Sequence, residues 1–383
     1  MSIFLSCGEV SGDLYASDLI RELRAHAASV SEPGMLWGVM GPRGIEAGGE
    51  PTWSYEELKL MGIIEVIPAI PRILKLRDRI VCEIMRRNPD VVIVVDSPDF
   101  HFPLVKKLRR SGYKGLTVFL VTPTVWAWRS GRTKLLREFF DLCLPLFSFE
   151  HEFLLESGVR SRWAAHPLVE MLEGCYAPQA LLERYAGARV IALMAGSRRY
   201  DIKYHLRQLI ETAKILKADG FLPVFSIAPG LSGSLQRELK EKICGFDFWD
   251  GEGRELMAAA EAVAGVSGTV AVEAMLLRRF MVVLYNGRGL SWMIARALVR
   301  IPYISIPNYL TDAPIYPELL KNEMRPERII GELYAYLNDP SRKIEVDCRM
   351  EAARSAMGTA RASVFWAQAI RDVLSESKGL LSG

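Results

Sequence analysis

The sequence has few histidines, widely scattered cysteines and no long apolar run, and each shortage closes off a class of function. Among its five histidines, His26, His151 and His205 have no metal-ligand spacing; no HExxH and no Walker A motif occurs. Neither a metal-dependent nor an ATP-cleaving mechanism is signalled, and no metal or cofactor is expected. The six cysteines, Cys7, Cys82, Cys143, Cys175, Cys244 and Cys348, form no CxxC pair. That excludes the usual signatures of a zinc site or a disulfide framework and reads as reduced thiols in a cytosolic chain. No stretch of about 18 apolar residues suggests a spanning helix, and Met1 to Val10 lacks a basic segment leading into an apolar core. The expected location is the cytoplasm, with any membrane contact peripheral. The net charge of +3, from 48 basic and 45 acidic residues, is too balanced for a nucleic-acid binder. No short repeat period points to a solenoid.

What is present is apolar material in alternation. Half of the 383 residues are hydrophobic and 24% are charged, enough for packed cores, and the length suits two domains of roughly 150 to 200 residues. Short apolar runs at Ile3 to Cys7, Met35 to Val39 and Val91 to Val95 alternate with helical patterns at Leu14 to His26 and Arg77 to Arg87, the signature of βαβ units on a parallel sheet. Further strands are expected at Thr117 to Val121, Leu142 to Pro145 and Ser161 to Ala164. The pattern restarts with Val190 to Met194 and continues through Leu222 to Ala228, Phe246 to Trp249, Ala262 to Val266 and Phe280 to Leu284. The expected fold is α/β, two Rossmann-like doubly wound domains facing a cleft, over 1–172 and 185–348, with a helical segment over 349–383. That last segment has two destinations, the N-terminal domain of its own chain or that of a partner in a homodimer.

Several loops follow strands, where open parallel sheets place ligands. Gly8-Glu9-Val10-Ser11-Gly12-Asp13 combines glycines with acids; it suits a sugar better than a phosphate, or is a loop capped by Ser11 or Asp13. Asp96-Ser97-Pro98-Asp99-Phe100-His101 sets two carboxylates and a histidine after a core strand, as a general base for sugar transfer requires, although one acid could serve only as a helix cap. In Thr122 to Arg129, Trp126 and Trp128 beside Arg129 suit a sugar face or acyl chain with a phosphate, or plain packing. Gly196-Ser197-Arg198 and Ser267-Gly268-Thr269 put small residues where backbone N–H groups meet an anion, with a helix N-terminus after Thr269 for a pyrophosphate and Glu273 one turn on for ribose hydroxyls. N-capping is the plainer reading of Ser267 and Thr269. Met61 to Arg79 and Leu290 to Ile301 mix apolar residues with a basic rim, as an interfacial segment on anionic lipid does, or as a buried helix would.

Taken in order, these motifs resemble those of the lipid-A-disaccharide synthases. The resemblance runs nearly end to end, through Gly8 to Asp13, Met61-Gly62, Asp96 to Phe100, Val125 to Trp128, His166-Pro167, Gly196 to Arg198, Ser267 to Thr269 with Glu273, Ile306-Pro307-Asn308 and Pro317 to Leu320. It implies a GT-B fold and an inverting, metal-independent glycosyl transfer from a UDP-activated acylated glucosamine to an acylated glucosamine 1-phosphate, by an enzyme peripheral on the inner face of the bacterial inner membrane. It implies that Asp96 is the base, Glu9 an active-site residue of the N-terminal domain, and Arg198, Ser267, Gly268, Thr269, Glu273 and Asn308 the donor site. The chain departs from the family pattern at His101, where Asn is usual, at Ala165, Ala195 and at Lys321, where Gln is usual. His101 is thereby expected to alter the proton affinity of Asp96, and Lys321 the donor contacts. A UDP-N-acetylglucosamine 2-epimerase and a non-catalytic UDP-sugar or lipid-binding protein are the competing readings.

Overall fold

The computed structural model describes residues 1–29, 34–58, 66–127, 130–286 and 303–381. They divide into two units, Met1–Pro167 with Thr359–Gly383, and Leu168–Gly358. The segment 349–383 is therefore split. The helix Pro340–Ala356 runs through position 349 and stays with the second unit, whereas the helix Ala362–Leu381 belongs to the first.

In the first unit six parallel strands, β1 (Ile3–Cys7), β2 (Leu36–Met40), β3 (Glu50–Ser54), β4 (Val91–Val95), β5 (Leu116–Leu120) and β6 (Leu142–Leu144), lie in the order β3-β2-β1-β4-β5-β6. Every residue of β1, β4 and β5 is buried. That is why these strands read as continuous apolar runs: helices cover both faces of a parallel sheet. β3, Glu-Pro-Thr-Trp-Ser, gave no such signal, because it is a mostly exposed edge strand with a register shift against β2, where proline and charge are tolerated. Conversely, the strand expected at Ser161 to Ala164 is only an isolated bridge between Ser161 and Cys143.

The second unit repeats the plan with β7 (Val190–Met194), β8 (Leu222–Ser226), β9 (Asp247–Trp249), β10 (Ala262–Val266), β11 (Phe280–Tyr285) and β12 (Glu318–Leu320), all parallel, in the order β12-β11-β10-β7-β8-β9. Counted from its own first strand, this is the order of the first sheet. The short edge strand β12 also escapes the sequence pattern.

Within the first unit, the helix Ala362–Leu381 packs on the helix Val10–Ser29, with buried Trp366 edge-on to Tyr15 at 6.4 Å between centroids. Ion pairs of Arg361 with Glu22 at 3.1 Å and Arg162 with Asp372 at 3.0 Å flank this contact. A second tie comes from Asp13. It does not cap its own helix: its buried carboxylate accepts the Gly41, Arg43 and Gly44 N–H groups at 2.7, 3.0 and 3.2 Å. It thereby closes the N-terminus of the helix Pro42–Glu46, where N–H groups have no intrahelical acceptor. Asp13→Asn turns an amide N–H toward those donors; we expect a loss of about 2–3 kcal/mol of unfolding free energy in urea titrations with an unchanged m-value.

Candidate active site

Strand order reverses between β1 and β4 in the first sheet and between β7 and β10 in the second, and at such a point the carboxyl ends of the strands open a crevice. Four of the loops singled out in the sequence, those after β1, β4, β7 and β10, lie at these two points.

In the first unit the loops after β1 and β4 touch. A Cβ on Gly8 would come within 2.2 Å of the Ser97 Oγ and 2.7 Å of its Cβ, so only glycine fits there. Glu9 is exposed and Asp96 half-buried. Burial raises the Asp96 carboxyl above the ordinary carboxylate range and the like charge of Glu9 adds to it, while a hydrogen bond from the Ser97 N–H pulls the other way. Asp96 and Ser97 have φ of 52° and 46°, and Val121, after the adjacent β5, has 57°. Left-handed backbone costs a non-glycine residue about 1–2 kcal/mol, and such strain gathers at functional sites. Asp96 does not cap the helix Pro98–Arg110; Ser97 occupies the cap position. Asp99 stands apart from the pair, mostly exposed and joined to Arg132.

His101 meets the main chain of Asp96. It is fully buried, its Nδ1 lies 2.6 Å from the Asp96 main-chain oxygen and its Nε2 2.9 Å from the Ser6 Oγ. Burial, Glu9 and the Ser97 N–H act directly on the Asp96 carboxyl; the imidazole bonds the Asp96 main chain.

Trp126 is also anchored. Its Nε1 donates to Glu150 at 2.9 Å, and its ring meets Phe149 edge-on at 4.9 Å. Glu150 is buried and accepts two further N–H groups, from Leu146 and Phe147, at 3.2 and 3.3 Å. It joins the loops after β5 and β6, a role that no motif in the sequence signals. Trp128, Arg129, Met61-Gly62 and Leu290 to Ile301 lie outside the described residues.

In the second unit, Gly196, at φ 104°, leads into the helix Arg199–Ala218, with Ser197 and Arg198 exposed. After β10, Gly268 caps the helix Thr269–Leu276 at φ 146° with open space about its Cα. A left-handed glycine without a side chain leaves that helix N-terminus accessible to an anion, so the hydroxyls of Ser267 and Thr269 are not spent as the N-cap. Glu273, one turn on, is half-buried; burial raises its carboxyl above the ordinary range, Arg254 opposes and Glu252 reinforces the shift. Neither Arg254 nor Glu252 was singled out in the sequence, since their approach depends on the turn before the helix Gly253–Ala259.

Asn308 has a different place from the one expected. Buried, it donates from Nδ2 to the Tyr316 carbonyl and Glu318 at 2.9 and 3.0 Å, and accepts at Oδ1 from the Ile315 and Tyr316 N–H groups at 2.8 and 2.9 Å. These four bonds exhaust an amide's capacity. Glu318 in turn accepts from the Ile304 N–H, the Ser305 N–H and hydroxyl, and Asn308, at 2.8 to 3.0 Å. The two residues bind loop to strand edge rather than offering a free group. Lys321 follows β12 in left-handed conformation, φ 48°.

Twin parallel sheets of one order, the first with paired acids at its switch point and the second with a glycine-capped helix N-terminus and a half-buried carboxylate, define a GT-B-type α/β protein. The sequence pattern of the lipid-A-disaccharide synthetase family matches residues 3–367, and the chain belongs to that family. It is 35% identical over 353 residues to the lipid-A-disaccharide synthase of Pseudomonas aeruginosa strain UCBPP-PA14, covering 90% of this chain and 92% of that one. Among solved structures, a UDP-GlcNAc 2-epimerase from Neisseria meningitidis bound to UDP-GlcNAc aligns with a TM-score of 0.58 at 13% identity, over 98% of this chain and 100% of that one. A glycosyltransferase from Rickettsia africae aligns with a TM-score of 0.55 at 13% identity, over 97% and 98%. At such identity the structural likeness speaks for the fold; the family relation makes the chain a glycosyltransferase.

Burial pushes the Glu150 carboxyl up to about 7, against three N–H donors that pull it down. A carboxyl whose folded value lies above its unfolded one costs stability as pH rises through that interval. Unfolding free energy should therefore fall between about pH 4.5 and 7, by on the order of 3 kcal/mol, and level off above. Glu150→Gln should remove that slope. Urea titrations of both proteins at pH 5 and pH 8 measure it, and parallel pH dependences would refute the assignment.

Proposed function

We propose that this chain transfers 2,3-diacylglucosamine from UDP-2,3-diacylglucosamine to 2,3-diacylglucosamine 1-phosphate, giving a β(1→6)-linked disaccharide 1-phosphate and UDP. The observation that carries the reading is the contrast between the switch points, Asp96 with Glu9 at one and the accessible helix N-terminus with Glu273 at the other. In this reading the pyrophosphate lies at the N-terminus of the helix Thr269–Leu276, within reach of Ser267, Gly268 and Thr269. Gly196 and Ser197 offer main-chain donors, Arg198 balances charge, and Glu273 accepts from the ribose hydroxyls. Asn308 acts on this site through the loop it ties to Glu318.

Asp96 takes the proton of the acceptor 6-hydroxyl as its oxygen attacks the anomeric carbon. The electron pair of the breaking bond leaves with UDP, and attack from the opposite face inverts that carbon. A carboxylate lifted above its ordinary range by burial is a stronger base than one in water, and Glu9 sustains the lift. Asp99, held by Arg132, adds charge to the loop after β4 and does not take the proton.

The acyl chains of both substrates call for a membrane surface at the inner face of the inner membrane. No described helix is long and apolar enough to cross a membrane. The helix Val66–Arg87 leaves Ile70 and Leu74 exposed at 44% and 43%, among exposed Arg72, Lys75 and Arg79, which suits an interfacial contact with anionic lipid. Arg77 turns instead to Asp78, at 2.8 Å.

Product analysis with an acylated UDP-glucosamine and an acylated glucosamine 1-phosphate tests the reaction. The disaccharide phosphate and UDP are expected in equal amounts; conversion of UDP-N-acetylglucosamine to its 2-epimer, or binding without turnover, would overturn it. Asp96→Ala should abolish transfer, by at least about 100-fold, with UDP affinity nearly unchanged. Flotation on anionic liposomes should weaken on charge reversal of Arg72, Lys75 and Arg79; undiminished binding would remove the basic rim from the account.

A further inference from the structure

His101 is buried beneath the acidic switch point, and its ring reaches β1 at Ser6 and the main chain after β4 at Asp96. The Asp96 carbonyl oxygen can only accept a hydrogen bond, so the Nδ1 facing it at 2.6 Å carries the proton. The Nε2 is then an acceptor, and the Ser6 hydroxyl at 2.9 Å donates to it. Ser6 lies in β1, two residues before Gly8 and three before Glu9; Asp96 follows β4. The His101 N–H also meets the Ser97 carbonyl at 3.1 Å. Ring and main chain of one residue thus bind the carbonyls of the two consecutive left-handed residues, Asp96 and Ser97.

We propose that His101 is a positioning residue for transfer, clamping the left-handed Asp96–Ser97 turn to β1 and so fixing the spacing between the Asp96 carboxylate and Glu9. The proposal rests on Asp96 as base. Three further observations agree with it. Phe119 and Phe100 stand edge-on to the imidazole, at 6.5 and 5.5 Å between centroids, which leaves the ring one seat. The Asp96 N–H is held by the Leu120 carbonyl at 3.1 Å, so with the clamp in place both peptide groups flanking its Cα are tied. Burial holds the His101 imidazole down at about 4, with the Asp96 carbonyl opposing, so at neutral pH it keeps the neutral tautomer that both bonds require. Among the described residues, the titratable groups facing Asp96 are Glu9 from the loop after β1 and, through its main chain, His101 from the helix Pro98–Arg110; Asp99 of that helix is engaged by Arg132.

Without the clamp the turn relaxes, and the carboxylate moves toward water and away from Glu9. Its proton affinity then falls toward the ordinary carboxylate value, and the acidic limb of the pH profile of kcat moves to lower pH. The test compares His101→Phe, which keeps a flat ring and removes both ring bonds, with Ser6→Ala, which removes only the link to β1, and His101→Asn, which keeps a donor for the Asp96 carbonyl. We expect kcat to fall about 10- to 100-fold in His101→Phe, with the donor KM within about twofold and the acidic limb displaced downward. Ser6→Ala should show the same displacement to a smaller degree, and His101→Asn should recover part of the rate. A folded His101→Phe with unchanged kcat and pH profile would overturn the proposal. If that variant does not fold, an unshifted acidic limb in Ser6→Ala overturns it instead. Asp96→Asn separates the two layers: retained turnover removes Asp96 as base and the clamp's purpose with it, whereas a dead Asp96→Asn beside an unaffected His101→Phe removes the clamp alone.

Discussion

Parallel strands cannot be joined by tight turns, so every connection must cross a face of the sheet, and nearly all such crossovers are right-handed. In each unit the chain begins at a central strand, β1 or β7, winds out to one edge, then returns to the centre at β4 or β10 and winds to the other. The carboxyl ends of the two central strands are where successive crossovers part, and a short loop there is open to solvent while its ends are fixed in the core. Gly8, Glu9, Asp96 and Ser97 occupy that place in the first sheet, and Gly196 to Arg198 and Ser267 to Thr269 in the second.

The same constraint explains why strained backbone persists there. β4 is Val-Val-Ile-Val-Val, five β-branched side chains, all buried. Burying each is worth roughly 1.5–3 kcal/mol, against about 1–2 kcal/mol for each left-handed residue that follows. The strand holds its register whatever the next two residues must do. The cost falls on Asp96 and Ser97, and the sheet covers it without a glycine at either position.

Burial on both faces also separates what was legible in the sequence from what was not. Fully buried strands such as β4 and β10 were legible because helices on both faces demand unbroken apolar runs; β3 and β12, at the edges, carry no such demand. The positions of the four loops followed from the strands. Roles resting on partners distant in sequence did not. Asp13 reads as a cap for its own helix, yet the donors it satisfies begin at Gly41; His101 reads as a neighbour of a carboxylate, yet its second partner is Ser6; Asn308 reads as a ligand contact, yet Glu318 and the 315–316 backbone consume it. The 349–383 segment reads as one unit because its apolar spacing is continuous, whereas the break near Gly358, φ 79°, sends its two helices to different units.

Counting donors sorts the carboxylates by purpose better than burial does. Asp13 accepts three backbone N–H groups, Glu150 three N–H groups and Glu318 four donors. Each is committed to holding loops together, since a buried acceptor so satisfied has little to gain from a further partner. Burial raises the Asp96 and Glu273 carboxyls, but among the described residues the Ser97 N–H alone stands against that burial as a bonded donor at Asp96, and Arg254 acts on Glu273 through its charge. A carboxylate withdrawn from water and left with unused lone pairs is costly unless something else supplies the missing hydrogens. At a strand end that opens to solvent, an acceptor hydroxyl giving up its proton and a ribose diol are the groups of the proposed reaction that can do so.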